Sequence, residues 1–338
     1  MIQEIRIKNY LSFRDEVVLS FEATKDTTFE ECQVANVTPK VRLLRFVLIY
    51  GANASGKSNL LKAMDFLRDF WFDKKSDIDE ETGVVPFLLD TETPNEPSEF
   101  NIKFFVGDKR YWYALVLDDK QVIKEDLYVY NSVQPSLVFS RELDGTASLI
   151  KLNASLVKAN ATILEQLNVK CLSNIDEVRD WMKNNMMPII EPGTRMFEYA
   201  GKQMEKNAEL KAYILDFVHK ADYNITDVYT EREKVPIPDF VKTSIMEDKD
   251  IPEKTKEKMR ADNALERLRT DFQHTVKNKR GEENYRLPNS LQSEGTKRTF
   301  GIEAAIYEAI KTNGILPIDE IESSLHPELV EFIIEKFL

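Results

Sequence analysis

Cysteine and histidine are scarce in this sequence. Its 338 residues include two cysteines, Cys32 and Cys171, and three scattered histidines, His219, His274 and His326. A structural zinc site needs about four clustered ligands, so we expect no such site here. Cysteines without a Cys-x-x-Cys partner are typical of a reducing compartment, and we expect a cytoplasmic protein.

Long apolar runs are also missing. No stretch approaches the roughly 20 consecutive apolar residues that a membrane span needs, and residues 1–13 lack the basic and apolar regions of a signal peptide. We therefore expect neither a membrane nor a secreted protein. The net charge of −12 argues against a uniformly basic nucleic-acid-binding surface and leaves room for a local patch.

The strongest motif is a glycine loop. Residues 51–58, GANASGKS, match the pattern G-x-x-x-x-G-K-[ST] and follow the apolar run LLRFVLIY at 43–50. The run predicts a strand buried on both faces of a parallel sheet, and the leucines that follow the loop predict a helix. Backbone amides of such a loop cradle phosphates. The predicted phosphate-binding residues are Gly51, Asn53, Ala54, Ser55, Gly56, Lys57, Ser58 and Asn59.

The loop chemistry predicts ATP and Mg²⁺ as ligands. Lys57 would reach the β- and γ-phosphates, and the Ser58 hydroxyl would bind Mg²⁺. A second apolar run ends in two carboxylates, in residues 315–320, ILPIDE. Asp319 would hold the Mg²⁺ and Glu320 would orient or polarise the attacking water. Two acids can also merely cap a strand, but the glycine loop and the following SSLHP favour an ATPase site.

A serine–glycine segment precedes a helix that we expect to begin near Phe300. It reads SLQSEGTKR at 290–298, and its Ser293 and Gly295 would form a second anion-binding element with the helix N-terminus. The alternative is an ordinary helix cap.

The hydrophobic pattern predicts an α/β fold. Residues 1–22 read as two strands, 100–130 as three strands of an antiparallel meander, and 150–280 as mostly helical, with apolar residues from Ala261 to Val276 at three- and four-residue spacing. We expect a mixed sheet around the glycine loop, an antiparallel β subdomain and a mostly helical insertion. The expected domains are 1–90 with the glycine loop, 91–150 as the β subdomain, 151–285 as the insertion, and 286–338 with the serine–glycine and Asp-Glu segments.

This order of motifs resembles the ABC-type P-loop ATPases of the SMC, RecF and OLD kind. The stretches LQSEGTKRTF and LPIDEIESSLHPEL are similar to AAA-domain, RloA-like bacterial ATPases found among phage-defence and restriction genes, and IRIKNYLSF looks like their opening strand. The resemblance implies that Ser293 and Gly295 contact the γ-phosphate held by the glycine loop of a second subunit. It thereby implies a head-to-tail homodimer that sandwiches ATP, and an effector protein as partner.

Three departures from that family bear on activity. The family carries a histidine on a strand after SSLHP, whereas this sequence stops at Leu338, so we expect a fragment of a longer protein with inefficient hydrolysis. PFLLD at 86–90 stands where the family has a glutamine loop. Pro317 removes an amide donor from an expected central strand.

Other functions stay open at the level of sequence. One alternative is a RecF- or SMC-like DNA repair ATPase, another the ATPase half of an OLD-type nuclease, and a third a nucleotide-gated scaffold with little turnover. The segment 253–280 carries nine Lys or Arg against five Asp or Glu. It fits a solvated helix face better than a surface that follows a nucleic-acid backbone.

Overall fold

The computed structural model describes residues 1–72, 80–142, 173–221, 224–236 and 264–336, with the single positions 243, 246 and 256. The chain divides into two units. The first comprises residues 1–192, 309–321 and 333–338, and the second comprises 193–308 and 322–332. In the part of the chain that is described, no helix has the length and apolar character that crossing a membrane requires.

Strands and helices both contribute to the described secondary structure. The strands are β1 (Ile2–Lys8), β2 (Val17–Ser20), β3 (Val34–Thr38), β4 (Val41–Leu44), β5 (Ser98–Val106), β6 (Lys109–Leu117), β7 (Val122–Tyr130), β8 (Ser136–Glu142), β9 (Asp227–Pro236), β10 (Ala264–Asn278) and β11 (Gly281–Pro288). The helices are α1 (Glu30–Gln33), α2 (Lys57–Phe70), α3 (Ser173–Asn185), α4 (Met196–Lys206), α5 (Ala208–Lys220), α6 (Glu294–Thr312) and α7 (Pro327–Glu335).

One antiparallel sheet organises the first unit. Its strand order is β2-β1-β5-β6-β7-β8, which confirms the two N-terminal strands and the three-stranded meander and joins them in a single sheet. Alternate residues of β6 face the core, where Tyr111, Tyr113 and Leu115 are fully buried. On the opposite face Trp112 stacks on Tyr128 with ring centroids 4.8 Å apart.

The helix α2 packs on this sheet. Its apolar residues recur at helical spacing, and Leu60, Met64 and Leu67 are buried, as predicted for the helix that follows the glycine loop. Phe66 stacks on Phe100 of β5 at 5.2 Å between ring centroids.

The prediction of a buried strand over residues 43–50 is wrong for residues 45–50. Strand β4 ends at Leu44 and pairs with β3 in a two-stranded antiparallel sheet. Leu48, Ile49 and Tyr50 are exposed, Tyr50 by 93%. Burial on both faces requires neighbouring strands and covering helices, and in the described ranges the sheet that α2 covers is built by other strands.

The expected mixed sheet is reduced, among the described residues, to two isolated parallel bridges between 186–190 and 315–318. Pro188 and Pro317 lie within these two segments, and neither can donate a backbone hydrogen bond. The missing donors limit the ladder to a few bonds, such as that from the Ile190 amide to the Pro317 carbonyl at 3.0 Å.

The second unit combines helices with a three-stranded antiparallel sheet of order β11-β10-β9. An aromatic cluster forms part of its core, with Phe272 of β10 edge-on to Phe300 of α6 at 5.0 Å and stacked on Phe197 of α4 at 5.6 Å between centroids.

The helix predicted over Ala261–Val276 is wrong from residue 264 onward, where β10 runs; residues 261–263 lie outside the described part. Leu268, Phe272 and Val276 are four residues apart, and this spacing fits a strand face as well as a helix face. Pairing of β10 with β9 and β11 along its length selected the strand. The expected mostly helical insertion therefore contains a sheet.

Candidate functional site: the glycine loop and its surroundings

The glycine loop turns sharply into α2. Ala54 and Gly56 have left-handed backbone angles, with φ of +62° and +92°. The helix begins at Lys57, and the Leu60 amide donates to the Gly56 carbonyl at 3.0 Å. Glycine adopts such angles without steric cost, whereas at Ala54 they are uncommon and typical of a constrained functional loop.

The first turn of α2 presents its amides to the loop. No described side chain caps this turn, and its amides and the helix dipole favour an anion. Residues 51–55 are exposed, and Gly56, Lys57, Ser58 and Asn59 are half-buried. The Lys57 ammonium donates to the carbonyl oxygens of Gly51 and Ala52, each at 2.9 Å. A cation is thus held directly against the loop.

Asp319 lies at the end of the short parallel pairing in the same unit. Its amide donates to the Ile190 carbonyl at 2.9 Å, and its side chain is half-buried. Glu320 is exposed and has a left-handed φ of +46°, which turns the chain directly after Asp319.

One segment connects Asp319 with the helix that follows the glycine loop. The Asp65 carboxylate of α2 accepts a hydrogen bond from the Ile189 amide at 3.1 Å, and Lys62 of α2 is 3.7 Å from Glu191. Residues 189–191 therefore contact α2, while Ile190 bonds to Asp319. The role of Asp65 was missed at the level of sequence, because a lone aspartate inside a helix carries no motif.

Ser293 is the N-cap of α6, which starts at Glu294 and not near Phe300 as predicted. The Ser293 hydroxyl accepts a hydrogen bond from the Thr296 amide at 3.0 Å. The Lys297 ammonium donates to the Glu294 carboxylate at 2.7 Å and holds the pKa of Glu294 below its ordinary value. The start of α6 therefore carries the Ser293 hydroxyl next to backbone amide groups of the first helical turn.

Gly295 contacts the SSLHP segment within the second unit. A methyl carbon built on Gly295 would lie 2.6 Å from the Ser324 carbonyl oxygen, so a side chain at this position requires Ser324 to move. Ser324 itself has a left-handed φ of +63°. Gly295 and Ser324, which are 29 positions apart in the sequence, thus lie next to each other in the structure.

The predicted site residues fall into two groups. Residues 51–59, Asp319 and Glu320 belong to the first unit, and Ser293 and Gly295 to the second. Within the described ranges, no three His, Cys, Asp or Glu side chains cluster as a self-sufficient metal site. The donor set of one hydroxyl (Ser58) and one carboxylate (Asp319) fits Mg²⁺, which takes one or two carboxylates and fills its remaining positions with phosphate oxygens and water.

Comparison with known proteins gives a family match that covers the glycine loop and the chain after it. A search of curated proteins finds no match. Residues 46–338 match the family described as "AAA domain, putative AbiEii toxin, Type IV TA system". The match begins just before the glycine loop and includes the serine–glycine and Asp-Glu segments. The chain belongs to this family of P-loop ATPase domains.

Proposed function

We propose that this chain binds ATP with Mg²⁺ at the glycine loop and hydrolyses it. The observation that carries the proposal is the conformation of the loop, in which two left-handed residues precede an uncapped helix start and the Lys57 ammonium lies against the loop carbonyls. Phosphate oxygens would replace the carbonyls of Gly51 and Ala52 as acceptors for Lys57. The charge-assisted bonds to phosphate are stronger than those to neutral carbonyls.

The hydrolytic step would use the residues after the parallel pairing. Ser58 and Asp319 would hold Mg²⁺, which supplies neutralisation of phosphate charge when bound. Glu320 would orient the attacking water, and its exposed position after Asp319 leaves it accessible to solvent. Lys57 would bind the β- and γ-phosphates.

The second anion-binding element supports a dimer. Ser293 and Gly295 at the start of α6 would bind the γ-phosphate held by the glycine loop of a second copy, in a head-to-tail homodimer. ATP binding would then stabilise the dimer by linkage, and hydrolysis would release it. This arrangement rests on the resemblance to ABC-type ATPases and on the N-cap geometry of Ser293.

The biological role we propose is a component of a bacterial anti-phage system. The family description names AbiEii toxin and type IV toxin–antitoxin system, which supports a defence role and an antitoxin or effector protein as partner.

Titration calorimetry with ATP and Mg²⁺ tests the proposal. Lys57→Ala should weaken ATP binding by about 1.5–3 kcal/mol, because it removes a hydrogen bond from a charged donor. Lys120→Ala is the control, since Lys120 is an exposed lysine in the turn between β6 and β7 and should leave the affinity unchanged. Equal affinity of Lys57→Ala and the unaltered chain would exclude the glycine loop as the site.

Nucleic-acid binding is a second candidate, favoured by one observation. Lys277, Lys279 and Arg280 are exposed around the turn between β10 and β11, and such a turn can contact phosphates. Glu282 lies 3.6 Å from Lys277 and offsets part of this charge. Replacing Lys279 and Arg280 with glutamate should abolish salt-dependent DNA binding if this function holds.

A further inference from the structure

The turn that follows β1 lies directly against the glycine loop. A methyl carbon built on Gly56 would lie 2.7 Å from Cε1 and 3.1 Å from Cζ of the Phe13 ring, and 2.9 Å from the Ser12 hydroxyl oxygen. Phe13 is 8% exposed. Its ring therefore closes one side of Gly56, the left-handed residue at which the loop becomes helix.

Backbone hydrogen bonds hold this turn in shape. Tyr10 and Phe13 exchange bonds, with the Tyr10 amide 2.9 Å from the Phe13 carbonyl and the Phe13 amide 2.8 Å from the Tyr10 carbonyl. Between them, the Leu11 amide donates to the Val85 carbonyl at 2.9 Å. These hydrogen bonds fix the backbone that carries the Phe13 ring.

Asn9 fastens the same turn to the rest of the first unit. Its side chain is almost fully buried, donates to the carbonyls of Thr93 and Glu96 at 2.8 Å each, and accepts from the Phe87 amide at 3.0 Å. These hydrogen bonds connect the turn to residues 87–96 and restrict its movement away from the glycine loop.

The turn also contacts α2 beyond the loop. The Tyr10 hydroxyl donates to the Lys62 carbonyl at 3.4 Å, and the Tyr10 ring is 5.7 Å from the Phe66 ring, centroid to centroid. The turn thus touches the glycine loop at Gly56 and the helix one to three turns further on.

We propose that Phe13 is a positioning residue that holds the glycine loop in its phosphate-binding conformation. Phe13 acts through Gly56, whose φ of +92° it confines, and not through the nucleotide. The inference rests on the proposed ATP binding at this loop. Its consequence is specific: loss of the ring should weaken ATP binding while the groups at Asp319 and Glu320 keep their places.

Measurement of ATP affinity and turnover in three variants tests this role. Phe13→Ala should raise the Kd and KM for ATP by about tenfold to 100-fold, because the apparent affinity falls with the fraction of molecules in which the loop keeps its binding conformation. The kcat should stay within about twofold, since the molecules that have bound ATP hold the loop in the same conformation as in the unaltered chain, and a change that affects binding alone raises KM without lowering kcat. Phe13→Leu retains apolar volume beside Gly56 and should fall between Phe13→Ala and the unaltered chain.

Phe104→Leu is the matched control for general loss of core packing. Phe104 lies in β5, the strand that pairs with β1; it is fully buried and stacks on Trp181 and Tyr111. Its replacement should lower the melting temperature and leave the Kd for ATP unchanged. An equal rise of Kd in Phe104→Leu and Phe13→Leu would overturn the proposal, and if Phe13→Ala fails to fold, this pair of leucine variants decides.

Failure of this proposal is distinguishable from failure of the proposed function. Unaltered ATP affinity in folded Phe13→Ala, together with weakened affinity in Lys57→Ala, overturns the role of Phe13 alone. Absence of ATP binding by the unaltered chain overturns ATP binding at the loop and the role of Phe13 with it.

Discussion

The Asp65 carboxylate accepts a hydrogen bond from the backbone amide of Ile189 at 3.1 Å. The next residue, Ile190, accepts a hydrogen bond from the Asp319 amide at 2.9 Å. A helix that begins at the glycine loop is therefore connected to Asp319 through one short segment of chain, and a side chain at the middle of α2 contributes to the placement of a predicted metal ligand.

Asp65→Ala should lower the free energy of unfolding by about 1–2 kcal/mol, because the Ile189 amide loses its charged acceptor. Asp69→Ala is the control: Asp65 and Asp69 both pair with Arg68, and among the described contacts only Asp65 also bonds to Ile189. Urea unfolding followed by tryptophan fluorescence measures both. An equal effect of the two variants would show that the pairing with Arg68 is the relevant interaction.

Ser293→Arg should abolish ATP-dependent dimerisation and spare ATP binding by the monomer, since Ser293 would serve the nucleotide of the opposite copy. It should also remove the helix cap, which costs about 1 kcal/mol. Ser290→Arg, at an exposed position of the same loop, should still dimerise. Light scattering that detects ATP-dependent dimers of Ser293→Arg would contradict the proposed interface.

Gly295→Asp should give the same loss of dimers with a larger loss of stability. The Gly295 position lies against the Ser324 carbonyl, so the new side chain adds a steric clash within the second unit. The thermal midpoint should therefore fall further than in Ser293→Arg. Equal midpoints in the two variants would mean that Ser324 moves aside without cost.

Asp319→Asn and Glu320→Gln should separate two roles. Asp319→Asn should weaken Mg²⁺-dependent ATP binding, because an amide is a poorer ligand for a hard cation. Glu320→Gln should retain binding and slow hydrolysis by about 10²–10⁴-fold, as expected for loss of a positioned catalytic group. Phosphate release measures the rate, with the exposed Glu322→Gln as control. Turnover at the unaltered rate in Glu320→Gln would assign water activation to another residue.

Glu125→Ala should destabilise the first unit by about 3–5 kcal/mol, because it leaves the Arg141 guanidinium buried without its carboxylate. Glu125 is fully buried, 3.2 Å from Arg141, and accepts from the Tyr113 hydroxyl at 3.0 Å. Burial, with the nearby Glu125, raises the pKa of Tyr113 well above its ordinary value.

The control for this buried pair is Glu142→Ala. The ion pair of Glu142 with Lys124 is exposed, and its loss should change stability by about 0–1 kcal/mol. Urea unfolding compares the two variants. Similar stabilities of Glu125→Ala and Glu142→Ala would mean that water reaches Arg141 once Glu125 is removed.

Local sequence chemistry by itself determined the features that depend on neighbouring residues. The loop at 51–58 and the start of α2 follow from glycine spacing and an amphipathic pattern. The helix that follows Ser293 is also predicted from the sequence, although its expected start near Phe300 is six residues later than the observed start at Glu294. The strands β1, β2 and β5–β7 follow from alternation. In each case the features depend on residues close in the chain, or on apolar side chains that recur at a regular spacing.

Tertiary structure decided the features that depend on the choice between partners. Residues 264–278 fit a helix by spacing and became β10, because β9 and β11 supply hydrogen bonds on both sides. The apolar run at 43–50 fits a buried strand, yet residues 45–50 join no sheet in the described part. The contacts of Phe13 with Gly56, and of Gly295 with Ser324, bring together residues 43 and 29 positions apart. The sequence pattern shows which side chains are apolar and favour burial. Only the folded chain determines which backbone groups form hydrogen bonds with each other and which apolar faces pack together.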